Sequence, residues 1–165
     1  MADVLTKTEI GLVRSIITEI QIKGIDGIFT AVWDTGATST AMDLELAKKL
    51  GFVPYDMCKQ YTANGDRMAG VYMADLILPN DIVFPDLQIN DGILCDIDFL
   101  IGMDVITQGD FAITNVGGST TMSFRRPSIE TINYCLKGNK KHIDQKSVYS
   151  CCSDKKGKNC RGKKK

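Results

Sequence analysis

The sequence predicts an all-β fold, a small closed barrel or sandwich with one or two short helices. Three observations lead there. Short runs rich in β-branched and aromatic residues alternate between apolar and polar through most of residues 1–127. Glycine, proline and asparagine punctuate those runs. Only one segment, residues 43–50, carries helical spacing. At 165 residues the chain makes one domain, or one domain with an appendage.

In chain order, Ile10 to Ile22 reads as a strand, with Ile16, Ile20 and Ile22 on one face beside Arg14 and Thr18. Lys23-Gly24-Ile25-Asp26-Gly27 makes a turn, and Ile28 to Trp33 returns as a buried strand. Met42, Leu46 and Leu50 recur four apart, with Asp43 as N-cap and Gly51 just past the end, giving a helix over 43–50. Gln60 to Leu78 reads as a long hairpin turning at Asn64-Gly65. Its second arm sets Val71, Met73 and Ile77 against Tyr72, Ala74, Leu76 and Leu78. Pro79, Asn80, Pro85, Asn90, Asp91 and Gly92 then punctuate short strands. Phe99 to Ile101 is a second buried strand, and Phe111–Thr114 and Thr120–Phe124 flank a Gly117-Gly118 turn.

Net charge is zero, but it is unevenly spread. Residues 1–127 hold 9 Lys and Arg against 17 Asp and Glu, a net −8, and residues 128–165 hold 11 against 3, a net +8. That asymmetry suggests a basic tail (128–165) on an acidic body (1–127). Met1 to Glu9 shows no apolar core of a signal peptide, and no apolar run approaches the roughly 20 residues of a membrane span. A cytoplasmic location is the resulting expectation. There the six cysteines are expected as thiols or metal ligands, Cys58 and Cys95 as buried structural thiols.

The stretch of greatest chemical interest is Val32-Trp33-Asp34-Thr35-Gly36-Ala37-Thr38-Ser39-Thr40. An apolar strand delivers a carboxylate to its end, and a turn needing glycine follows. A carboxyl group held at such a place is costly unless it has chemistry to perform. Further on, Phe99-Leu100-Ile101-Gly102-Met103-Asp104 ends another apolar strand in glycine before a short helix. Together these two elements resemble the retropepsin-like aspartic proteases. The resemblance covers roughly residues 10–127 and is closest to the bacterial members, in the run from Leu100 to Asn115.

The resemblance implies a fold, an activity and a site. The fold is a retropepsin-like closed β-barrel or sandwich, with the 60–78 hairpin as flap. The activity is aspartic endopeptidase, acting on protein or peptide without a catalytic cofactor. Asp34, Thr35 and Gly36 form the catalytic loop, with Thr35 bracing it across the dyad. Ala37, Asn64, Gly65, Leu100 and Ile101 contact substrate. The chemistry needs two facing carboxyl groups, one ionised and one protonated, around a water. Asp-Thr-Gly occurs once here, so the second Asp34 must come from a homodimer partner. Ala37 stands where pepsin-like enzymes often place a hydroxyl. Lacking it, the ionised form has one fewer hydrogen bond, which predicts activity reaching mildly acidic or near-neutral pH.

Two departures stand out. Retroviral members pair an aspartate and an arginine near the dimer interface, where this chain has Thr38 and Met103. The Asn64-Gly65-Asp66-Arg67 tip is also more polar than the retroviral flap. The tail around Cys151, Cys152 and Cys160 resembles a degenerate SEC-C zinc motif, and Cys135 or His142 completes a candidate structural zinc site. The alternative is a set of free thiols on a solvated basic end, with His142 at the surface. Tyr134 and Tyr149 are the tail's sole aromatics, so nucleic acid is not expected as a partner. A catalytically weak or inactive peptide-binding dimer is the remaining alternative.

Overall fold

The computed structural model describes residues 2–62 and 65–134. The cysteines and histidine of the tail, namely Cys135, His142, Cys151, Cys152 and Cys160, lie outside the described residues, as does Asn64. The expectations placed on them stay with the sequence.

Ten strands and two short helices are described: β1 (Asp3–Glu9), β2 (Ile16–Ile22), β3 (Ile25–Trp33), β4 (Ala41–Asp43), α1 (Leu44–Lys49), β5 (Asp56–Thr62), β6 (Gly65–Leu78), β7 (Ile82–Gly92), β8 (Phe99–Ile101), α2 (Met103–Ile106), β9 (Asp110–Thr114) and β10 (Thr120–Arg126). The larger sheet runs β2-β3-β8-β4-β7-β6-β5, and a β2–β6 pairing at Gln21↔Ile77 and Ile22↔Leu76 closes it. Six strands thus form a barrel, and β5 lies outside the closure, paired with β6 alone. Closure spares those six strands the free edges that a small open sheet would expose, and β5 remains an edge.

The core follows the alternation in the sequence. In β2, residues 16, 18, 20 and 22 are buried and the intervening ones exposed. Ile20, Ile22, Phe29, Ala31, Leu76, Phe84, Ile89, Phe99 and Ile101 join in one cluster. The smaller sheet, β1-β10-β9, adds Leu5, Met122 and Phe124 to it. Trp33 ties the two sheets together: it stacks on Phe111 at 5.3 Å and meets Phe124 at 5.2 Å. Its indole N–H donates to Thr18 Oγ1 at 2.9 Å, so the one polar atom of the ring is satisfied.

Several details differ from expectation. β1 has no counterpart in the sequence reading, because its alternation is faint and only Leu5 is buried. Its place comes from seven pairings with β10, Asp3↔Arg126 to Glu9↔Thr120. β2 begins at Ile16 rather than Ile10. β3 begins at Ile25, and it buries alternate residues: Ile28 is 64% exposed while Ala31 is fully buried. The region around Pro85 is one eleven-residue strand, not several. Pro85 is tolerated because the β6–β7 register shifts there, leaving a bulge opposite Asp75. Asp75 accepts the Asp86 N–H across it at 2.8 Å. Cys95, expected to be buried, is exposed, and Cys58 is half-buried. The predicted helix is α1, capped by Asp43, whose Oδ1 accepts from Glu45 N and Leu46 N at 3.0 and 3.1 Å.

Two positions make the fold testable. A Cβ on Gly102 would stand 2.5 Å from the Ser39 carbonyl carbon and 2.7 Å from its oxygen. Both are backbone and have little room to yield. Gly102→Ala should therefore cost about 1–3 kcal/mol, read from urea unfolding. Asp110 gathers the N–H groups of Ile129 and Glu130, the Ser128 hydroxyl and the Arg125 guanidinium. The Ile129 N–H, the Ser128 hydroxyl and Arg125 hold its carboxyl well below the usual carboxylate range. A lowered native value gives stability that is complete above the unfolded value of about 4 and is lost as pH falls toward the native one. Asp110→Asn should flatten the acid limb of a Tm–pH curve between about pH 5 and 2, and leave the neutral limb parallel to wild type.

Candidate active site

Asp34 sits where the barrel's central strands end. β3 and β8 run parallel, with Ala31↔Phe99 and Trp33↔Ile101 in register. The ladder continues one step further, as Asp34 N–H donates to the Ile101 carbonyl at 2.9 Å. The carboxylate is thus set by the sheet itself. Beyond it the chain turns: Ala37 N–H returns to the Asp34 carbonyl at 3.2 Å, and Gly36 N–H donates to Asp34 Oδ1 at 2.8 Å. Asp34 Oδ2 meets no donor among the described residues.

The loop then crosses behind β8 and re-enters the sheet as β4 on its other side, pairing Ala41↔Leu100 and Met42↔Phe99. The crossing passes over Gly102, where only hydrogen fits. It is fastened by Thr40, which is fully buried. Thr40 N–H and Oγ1–H donate to the two oxygens of Asp104, each at 2.8 Å. The same Oγ1 accepts Gly102 N–H at 3.2 Å, and the Thr40 carbonyl accepts Asn90 N–H at 3.1 Å. Met103 N–H and Asp104 N–H reach the Ala37 and Thr38 carbonyls at 2.8 and 3.2 Å. Every polar backbone and side-chain group of this buried threonine is therefore paired, as burial demands. Thr38 and Met103 contribute backbone groups to this crossing.

In front of Asp34 lies a cleft of about 920 Å³, in the range of ordinary ligand sites. Its floor includes Asp34, Gly36, Ala37 and Leu100, and the β5–β6 hairpin supplies Cys58, Lys59, Gln60, Tyr61, Gly65, Asp66 and Arg67. Thr38, Ser39, Ala41, Gln88, Asn90, Gly92, Ile93 and Leu94 complete the wall. The hairpin pairs Thr62 with Gly65, so this glycine opens the second strand rather than lying within the turn. Four charged residues line the cleft. Lys59 pairs with Asp66 at 2.8 Å, and Arg67 with Asp91 at 2.5 Å. Asp34 is the one among them with no oppositely charged partner among the described residues.

The structure brings Asp34, Gly36, Ala37, Gly65 and Leu100 to this one cleft. Thr35, beside it in the loop, is exposed. Ile101 is a correction: it is fully buried in the core cluster and offers no surface to a substrate. Alternation along β8 explains the difference, since Leu100 and Ile101 point to opposite sides. Asp104 and Thr40, which hold the loop, had no assigned role in the sequence reading; a threonine and an aspartate 64 residues apart give no local sign of pairing. A second pocket, of about 180 Å³, lies between β2 and the Pro79–Asp81 turn and shares no residue with the cleft. Among the described residues no group of three His, Cys, Asp or Glu side chains is placed to hold a metal, and no helix is long and apolar enough to cross a membrane.

The fold resembles solved structures. The retropepsin-like aspartic protease from Rickettsia conorii superposes with a TM-score of 0.52 at 18% identity, covering 76% of this chain and 96% of that one. The Simian Foamy Virus (mac) protease gives a TM-score of 0.40 at 20% identity, covering 54% of this chain and 89% of that one. No curated protein matches the sequence. The family model described as gag-polyprotein putative aspartyl protease matches residues 18–108, which contain the Asp34 loop, the hairpin and the Gly102 crossing, and the chain belongs to that family.

Proposed function

We propose that the chain is an aspartic endopeptidase that works as a homodimer, with Asp34 of each subunit facing the other across one water. The observation that carries this reading is the state of Asp34. It is positioned by the β3–β8 ladder, faces a cleft walled by a hairpin, and has no cationic partner among the described residues. One oxygen receives the Gly36 N–H, and the other meets no donor among the described residues. The carboxylates that brace the chain, Asp91, Asp104 and Asp110, each have both oxygens engaged by donors.

The proposed step follows from the shared charge. Two carboxyl groups a few ångströms apart cannot both ionise, so the pair holds one proton. The ionised Asp34 takes a proton from the water while the protonated Asp34 donates its own to the scissile carbonyl oxygen. The new C–O bond gives a tetrahedral gem-diol, and the dyad still holds one proton. As the C–N bond breaks, that proton passes to the leaving nitrogen and a gem-diol proton returns to the dyad. Gly36 keeps the loop open to substrate backbone, Thr35 braces the loop across the pair, and Leu100 with Ala37 forms the apolar part of the floor. The subunit has one such loop, so the site is incomplete without its partner.

The test is cleavage of casein or a peptide library between pH 4 and 7, with pepstatin as inhibitor and sedimentation velocity alongside. Asp34→Asn should reduce kcat/KM by about 10²–10⁴-fold and leave the dimer intact. Cleavage that survives Asp34→Asn, or that proceeds in a strictly monomeric sample, would overturn the assignment. Peptide capture that persists in Asp34→Asn with no turnover at any pH would favour a binding module.

A further inference from the structure

The hairpin over the cleft is poorly supported by its own pairing. β6 begins to pair with β7 only at Val71↔Asn90, so residues 65–70 have β5 as their sole neighbouring strand. β5 itself is an edge. An isolated two-stranded ribbon is marginal in water. What fixes it over Asp34 must therefore be side-chain ties to the barrel.

We propose that Arg67 is a positioning residue, and that its grip on Asp91 sets where the hairpin stands over Asp34. This rests on the proteolytic reading of the cleft. Asp91 lies near the end of β7 and is 3% exposed. Arg67 donates through Nη2 to Asp91 Oδ1 at 2.5 Å and through Nη1 to the Asp91 carbonyl at 2.7 Å. Nη1 also reaches Gln60 Oε1 at 3.2 Å, joining both arms of the hairpin to one anchor. The second carboxylate oxygen accepts Gly70 N–H at 2.8 Å and the Tyr72 hydroxyl at 3.0 Å. A Cβ at Gly70 would lie 2.7 Å from both Asp91 Oδ2 and Tyr72 Oη, so the missing side chain makes room for the anchor.

The chemistry favours arginine specifically. The rigid fork spans a carboxylate oxygen and a backbone carbonyl of the same residue, which an ammonium group does not reproduce with equal geometry. Among the described residues the buried Asp91 charge is compensated by this one cation, and removing it leaves a carboxylate short of a partner. The grip also neutralises Arg67, so the guanidinium contributes shape to the cleft wall more than net charge.

The experiment compares wild type, Arg67→Lys and Arg67→Met, with Lys23→Met as a control that severs an exposed pair elsewhere. Amide hydrogen exchange is measured over Met57–Tyr61, Asp66–Met68 and the barrel strands β3 and β8, and kcat and KM are measured on one peptide. In both Arg67 variants, hairpin exchange should accelerate roughly tenfold or more while β3 and β8 keep their wild-type rates. KM should rise and kcat/KM fall by a comparable factor, with Lys23→Met unchanged. Unaltered hairpin exchange, equal acceleration in hairpin and barrel, or unaltered kcat/KM in an active enzyme overturns the proposal. A wild type without any cleavage defeats the proteolytic reading instead, and the grip is then judged on exchange alone. Should neither variant fold, the wild-type Gly70 amide decides: protection equal to the barrel supports the anchor, and exchange as fast as the hairpin tip overturns it.

Discussion

The whole arrangement depends on one close crossing of backbone over backbone. The loop that carries Asp34 passes over Gly102 with no space for a side chain between them. From that contact the rest is dictated. β3 and β4 are placed on opposite sides of β8, the sheet wraps into a barrel, and the Asp34 N–H finds the Ile101 carbonyl. Thr40 and Asp104 lock the crossing with two short hydrogen bonds to a carboxylate in a partly buried place, where such bonds are stronger than in water. The loop is thus rigid for reasons unconnected with any substrate. Rigid support is what a group needs if its geometry is to be ready before the reaction begins.

Charge in the molecule divides by role. Asp91, Asp104 and Asp110 are each satisfied by several donors and serve to hold chain segments together. Each replaces the water that its carboxylate lost on folding with N–H and O–H groups. Asp34 is treated differently: among the described residues it receives one backbone donor, and it faces the cleft. The contrast between saturated and unsaturated carboxylates, all within one small barrel, separates structural acids from the reactive candidate more clearly than burial does.

Flexibility follows the same logic. The barrel is closed and its strands pair on both sides, whereas the β5–β6 hairpin projects past the last β6–β7 pairing. Its two faces differ: Met57, Tyr61 and Met68 are exposed, while Arg67 and Ala69 turn toward the barrel. A projecting ribbon tied at the buried Asp91 can move as a unit about that point while the floor of the cleft stays fixed.

The all-β class, α1 with its Asp43 cap, the hairpin and the two strands ending at Asp34 and Gly102 were legible in the sequence by itself. These are local matters: alternation selects strand, spacing and capping select helix, and a glycine after an apolar run marks a tight passage. The family resemblance was equally legible, because it resides in two short motifs. Tertiary structure alone decided the rest. β1 exists through pairing with a strand more than a hundred residues away. Pro85 is absorbed by a bulge that only the facing strand creates. Ile101 faces the core and Leu100 the cleft, because barrel curvature assigns each face of β8 an inside or an outside. The Thr40–Asp104 and Arg67–Asp91 ties join residues far apart in the chain, and a hydrogen bond's partner is fixed by distance in space, which no local pattern of residues encodes.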